Sequence, residues 1–127
     1  MKNTLLDTFY SEISSNFDTS NSSLFKVQIR LNPEHPIYKG HFEQMPIVPG
    51  VCQTQIIKEI LMEKFQVELQ LSESDSLKFL AMINPQINPE LTIDFNLKKT
   101  DSAFEVNAVI SHEKTVFTKF KGKFNLI

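Results

Sequence analysis

The stretch KGHFEQMPIVPG, residues 39–50, holds Gly40, Gly50, His41, Pro46 and Pro49 in a chain with only three glycines and six prolines. Histidine suits proton transfer near neutral pH, because its ordinary pKa is roughly 6.5. Gly40 lets the backbone turn beside it or approach a ligand closely. Gly50 stands where a helix is expected to start. The free N–H groups and positive dipole end there can hold a carbonyl oxygen that gains negative charge. A base next to an oxyanion site is what proton removal beside a carbonyl requires. A lone histidine in a loop is more often a hydrogen-bonded structural residue. The two glycines are what favour the chemical reading of this one.

These residues need elements to position them. SLFKVQIRL alternates, with Phe25, Val27, Ile29 and Leu31 on one face, and reads as a strand over 24–31. A first strand is expected over 9–17, joined to it by the polar turn DTSNSS. Four of the six prolines fall in NPEHPIYKGHFEQMPIVPG, which makes it a shaped loop. VCQTQIIKEILMEKF has no Gly or Pro, and its apolar residues recur near helical spacing around much of the circumference. It reads as a helix over 51–65 with little exposed surface, started by Pro49 and Gly50. Strands are then expected over 77–83, 91–98, 103–111 and 115–126, with tight turns at KTDS and HEK. The pattern predicts an α+β fold, one helix against a curved antiparallel sheet.

Composition narrows the function classes. The length of 127 residues fits one domain with a real core. A net charge of −2 argues against nucleic acid as a main partner, since phosphate binding needs a basic surface. Cys52 is the only cysteine, so no internal disulfide can form. No stretch has signal-peptide or membrane-span character, so the expectation is a cytoplasmic protein. No histidine pair has metal-ligand spacing, and no metal or cofactor is implied.

GHFEQMPIVPGV resembles the GHFP-x-x-P-x-x-PGV signature of the bacterial 3-hydroxyacyl-ACP dehydratases, which have the hot-dog fold. The lead-in LNPEHPIYKG and the order of elements resemble that family too. The resemblance implies a single hot-dog domain over residues 1–127, a sheet wrapped around one central helix. It implies a substrate carried as a thioester on acyl carrier protein, as in fatty acid, lipid or polyene biosynthesis. It also implies a homodimer or a higher homo-oligomer of dimers. His41 matches the histidine that handles the C2 proton, and Gly50 the helix-start glycine whose N–H binds the thioester carbonyl. Phe42, Met45, Pro46, Val48 and Val51 would border the acyl chain.

One departure bears directly on mechanism. The family carries a carboxylate fourteen residues after the histidine, and here that position is Gln55. An amide can orient a hydroxyl but cannot titrate, so it cannot be a general acid. Three arrangements would compensate. His41 can do both proton transfers with Gln55 as orienter, which is the preferred reading. Glu59, one helical turn on, can reach in, or Glu43 can act from the position where the signature has proline. The departure leaves two alternatives, a hot-dog acyl-thioesterase and a non-catalytic acyl-binding or dimer-partner homologue. NPQINPELTIDF lacks the glycine of the family's usual bend, and the N-terminus lacks its usual leading helix, as in shorter relatives of aryl-polyene pathways. Lys119, Lys121 and Lys123 share a strand face, either as a solubilising surface or as a docking patch for an acidic carrier.

Overall fold

The computed structural model describes residues 4–18, 21–39 and 45–127. Candidate residues Gly40, His41, Phe42 and Glu43 lie outside the described residues. Among the described residues six strands form one antiparallel sheet: β1 (Tyr10–Asp18), β2 (Asn21–Leu31), β3 (Leu69–Phe79), β4 (Glu90–Lys99), β5 (Ala103–His112) and β6 (Thr115–Leu126). Their order across the sheet is β1-β2-β4-β5-β6-β3. Helix α1 (Gly50–Phe65) follows a 3-10 turn at Pro36–Tyr38 and precedes β3.

The strands follow from period-2 patterning. Val27, Ile29 and Leu31 of β2 are buried with Ile93 and Phe95 of β4, Val106 and Ala108 of β5, and Phe120 and Phe124 of β6. The residues between them face the other side of the sheet. Helix α1 fills the concave side. Ile56, Ile57, Ile60 and Leu61 join those strand residues in one core. Phenylalanine stacks thickly at the helix's C-terminal end. Phe25 lies between Phe17 and Phe95, and Phe65 meets Phe25 and Phe104 edge-on. The helix ends at Gln66, whose left-handed backbone returns its N–H to the Met62 carbonyl.

One expected strand is corrected. Instead of 77–83, β3 spans Leu69–Phe79 and the chain leaves the sheet at Leu80. The missed portion is LQLSESDS, too polar to read as a strand. It forms one because it is an edge, paired only with β6, with register shifts between Leu71 and Glu73 and between Ser74 and Ser76. Leu80 and Ala81 instead donate their N–H groups to the Phe117 carbonyl, and Ile83 turns into the core.

Gly122 of β6 gives the best test of this packing. A Cβ there would stand 2.6 Å from both the Glu73 carbonyl oxygen and the Phe120 ring. Gly122→Ala is expected to cost about 2 kcal/mol in denaturant unfolding, because a backbone atom of the edge strand cannot step aside. Gly50→Ala meets only the Phe79 side chain, which is half exposed and can swing away. Its cost is expected to stay below about 1 kcal/mol.

Candidate functional site

The helix start is built from three segments that meet there. Pro49 is the N-cap and has no side chain to bond the first turn. Its carbonyl accepts the N–H groups of Cys52 and Gln53. Among the described residues, the N–H groups of Gly50 and Val51 have no backbone acceptor. They are the pair that a ligand oxygen can take. The Phe79 ring from the end of β3 lies across Gly50, against the position a Cβ would occupy. No larger residue fits there without displacing that ring.

Two buried groups hold the approach to the helix. The Val48 N–H donates to the Ile83 carbonyl at 2.9 Å. The Val48 carbonyl accepts from the Gln53 amide at 3.2 Å, and the Gln53 carbonyl accepts from the Thr118 hydroxyl. Gln53 and Thr118 are both buried, so this bridge from loop to helix to β6 is shielded from water. Gln53 was missed in the sequence because an amide at one helix position carries no signal of its own.

Gln55 and Glu59 form a second cluster. Glu59 is buried, at 5% exposure. Its carboxylate accepts from the Leu5 N–H at 2.8 Å, the Leu6 N–H at 3.0 Å, the Tyr10 hydroxyl at 3.1 Å and the Gln55 amide at 2.9 Å. A carboxylate only accepts, so the Gln55 nitrogen must face it and the Gln55 carbonyl oxygen must point away. Glu59 thus fixes Gln55 as an acceptor toward anything that approaches. Its own oxygens are already spent on four donors.

The other candidates divide by exposure. Pro46 and Val48 are buried and support the loop, whereas Met45 and Val51 are exposed. With Phe79, Leu80 and Met82, also exposed, they line the segments that converge on the helix start. His35 caps the 3-10 turn, its Nδ1 accepting the Ile37 N–H at 3.1 Å, and its ring meets Phe9 edge-on. Cys52 is buried, and burial pushes its thiol pKa up, which makes it a core residue and not a nucleophile. A concavity of about 640 Å³ lies away from these residues on the outer face of the sheet, around Asn16, Lys26, Asp94 and Asn107. It is wide open, and none of the candidate residues borders it.

Residues 17–121 match the model of the ApeI-like family, described as ApeI dehydratase. No curated protein matches the sequence. Among solved structures, the dehydratase heterocomplex ApeI:P from Xenorhabdus doucetiae is similar at 18% identity and a TM-score of 0.69, covering 90% of this chain and 96% of that one. A hypothetical thioesterase with coenzyme A from Streptococcus pneumoniae aligns at 10% identity and a TM-score of 0.62, over 90% of this chain and 86% of that one. The dehydratase domain of the polyketide PpsC from Mycobacterium tuberculosis aligns at 15% identity and a TM-score of 0.59, over 90% of this chain and 42% of that one. The shared fold is the hot-dog fold, in agreement with the sequence expectation.

Two measurements probe the Glu59 cluster. Glu59→Ala strands two backbone donors and a buried hydroxyl, so it is expected to cost about 3 kcal/mol and lower the melting temperature by roughly 10 °C. Both tyrosines of the chain are held protonated well above the usual range. Burial comes first for each, and the Glu59 charge adds to it for Tyr10. In the unfolded chain they ionise near about pH 10. A pKa raised in the folded state means this stability is present below about pH 10 and lost as pH rises beyond it. The folded protein should therefore show no tyrosinate absorbance at pH 10.5, and denaturant-unfolded protein should show it.

Proposed function

Because this chain belongs to the ApeI-like dehydratase family, we propose that it removes water across C2–C3 of a 3-hydroxyacyl thioester carried on acyl carrier protein. The observation that carries this reading is the family match over residues 17–121. The helix start supports it: among the described residues the Gly50 and Val51 N–H groups have no backbone acceptor, which suits them to take the thioester oxygen as charge moves onto it. In this reading His41 removes the C2 proton, and the electron pair moves toward the carbonyl. In this reading the C3 hydroxyl donates to the Gln55 carbonyl oxygen, which leaves a lone pair of the C3 oxygen free to take a proton. His41 then returns the proton to that oxygen. The C3–O bond breaks, water leaves and the enoyl thioester remains. Glu59 acts through Gln55 by holding its amide and takes no proton itself.

A homodimer would complete the site. β3 is a sheet edge with its outer backbone groups unpaired by another described strand. Leu71 and Phe79 along that strand are exposed apolar residues, as are Val51 and Met82 nearby. Such an edge favours pairing with a second copy.

A second reading has its own observation. Gln55 stands where the family carries its carboxylate, and the ApeI:P structure from Xenorhabdus doucetiae is described as a heterocomplex. A chain without the carboxylate would then be the non-catalytic member of a mixed pair. A thioesterase reading draws on the S. pneumoniae neighbour, but it too needs the missing carboxylate to activate water.

Dehydration and rehydration of short and medium 3-hydroxyacyl carrier proteins, followed by mass spectrometry, separates these readings. The wild type is expected to equilibrate hydroxyacyl and enoyl forms. His41→Ala should lose about a thousandfold or more in rate. An inactive wild type that gains turnover with Gln55→Glu would establish the partner reading instead.

A further inference from the structure

We propose that Lys78, Lys119 and Lys121 form the docking surface for an acidic carrier protein. This rests on the carrier-bound substrate proposed above and assigns the face that receives it. Lys78 of β3 and Lys119 of β6 are directly opposed in register, and Lys121 is opposite Ser76 in the next outward-facing pair. All three lysines are exposed on the outer face. Their neighbours on β5 are Val109 and Asn107, neither of them acidic. Among the described residues, none of the three lysines makes an ion pair, although Lys26, Arg30 and Lys64 all do. Two like charges set opposite each other on a sheet are unfavourable in the free protein. An anionic partner turns that repulsion into attraction.

Three further observations choose the partner and the place. Lys123 continues the same stripe, but its register partners are Glu73 and Glu105, so the positive field ends there. The chain as a whole carries a net charge of −2, so the patch is local and not part of a basic surface suited to nucleic acid. Lys78 also immediately precedes Phe79, whose ring lies on Gly50. A carrier seated on the lysines would therefore deliver its thioester arm past the Phe79 end of β3 to the helix start, leaving the strand's edge to the second copy. Complementary charge of this kind mainly speeds encounter and sharpens partner choice.

The test compares substrates that differ only in their carrier. Wild type, the triple variant Lys78→Glu/Lys119→Glu/Lys121→Glu and the milder triple change to Gln would be assayed with the 3-hydroxyacyl group on an acidic carrier protein, on coenzyme A and on N-acetylcysteamine. The Glu triple is expected to raise KM for the carrier substrate at least tenfold and to leave the N-acetylcysteamine reaction within twofold. The Gln triple should fall between, and Lys123→Glu should change little. The wild-type KM for the carrier substrate should also rise with salt. An unchanged carrier KM, or an equal loss on all three substrates, overturns the proposal. A KM for coenzyme A raised as much as that for the carrier also overturns it, because the lysines would then read phosphates. If the wild type turns over none of the substrates, the dehydratase reading fails by itself. Titration of a fluorescent holo-carrier with the same variants then decides the docking question alone, and equal binding by wild type and the Glu triple would end it.

Discussion

Helix α1 runs along the inside of the sheet with seven of its sixteen residues buried, so the polar side chains among them must be satisfied without water. That constraint organises the rest of the molecule. Its apolar positions, Ile56, Ile57, Ile60 and Leu61, merge with the inward residues of the strands into one core. Its buried polar positions cannot be left alone, since an unpaired polar group in such a place costs about 1–3 kcal/mol. Gln53 and Glu59 each therefore reach a partner far away in sequence. Gln53 ties the loop carbonyl of Val48 to Thr118 of β6, and Glu59 ties the N-terminal segment and Tyr10 to the helix.

The same two contacts set the geometry of the candidate site. The Gln53 bridge and the Val48–Ile83 bond fix how the chain enters the helix, and so where the Gly50 and Val51 N–H groups point. The Glu59 carboxylate fixes which end of the Gln55 amide faces outward. Polar groups buried for structural reasons thus orient the groups available for chemistry. The Glu59 carboxylate, one turn after Gln55, has its lone pairs engaged by backbone and tyrosine donors. Glu59 is better understood as the anchor that makes Gln55 a directional acceptor.

The two faces of the sheet divide the work. The inner face carries the core and, at one end, the exposed apolar residues near the helix start. The outer face is polar, with Lys26 paired to Asp94 across β2 and β4, and Arg30 paired to Glu90. The lysines of β3 and β6 break that balance. A local excess of one charge on an otherwise balanced surface has little value for folding, because exposed charges contribute little to stability. Its value lies in what approaches.

Much of this was legible in the residues. Period-2 runs marked β2, β4, β5 and β6 to within a residue or a few, since one buried face imposes strict alternation. The Gly- and Pro-free run marked α1, and the glycine–proline motif identified the fold. The polar half of β3 was not legible, because an edge strand is held by backbone pairing to β6 and needs no apolar signature of its own. Nor were the roles of Gln53 and Glu59, nor the convergence of Lys78 with Lys119. Each depends on a partner 41 to 65 residues away in the chain, and only the folded sheet brings such partners into contact. The sequence by itself determined the elements and the chemistry available to them. The tertiary structure decided which polar side chains were spent on holding the fold and which were left facing outward, because burial acts on groups brought together in space and is blind to their separation along the chain.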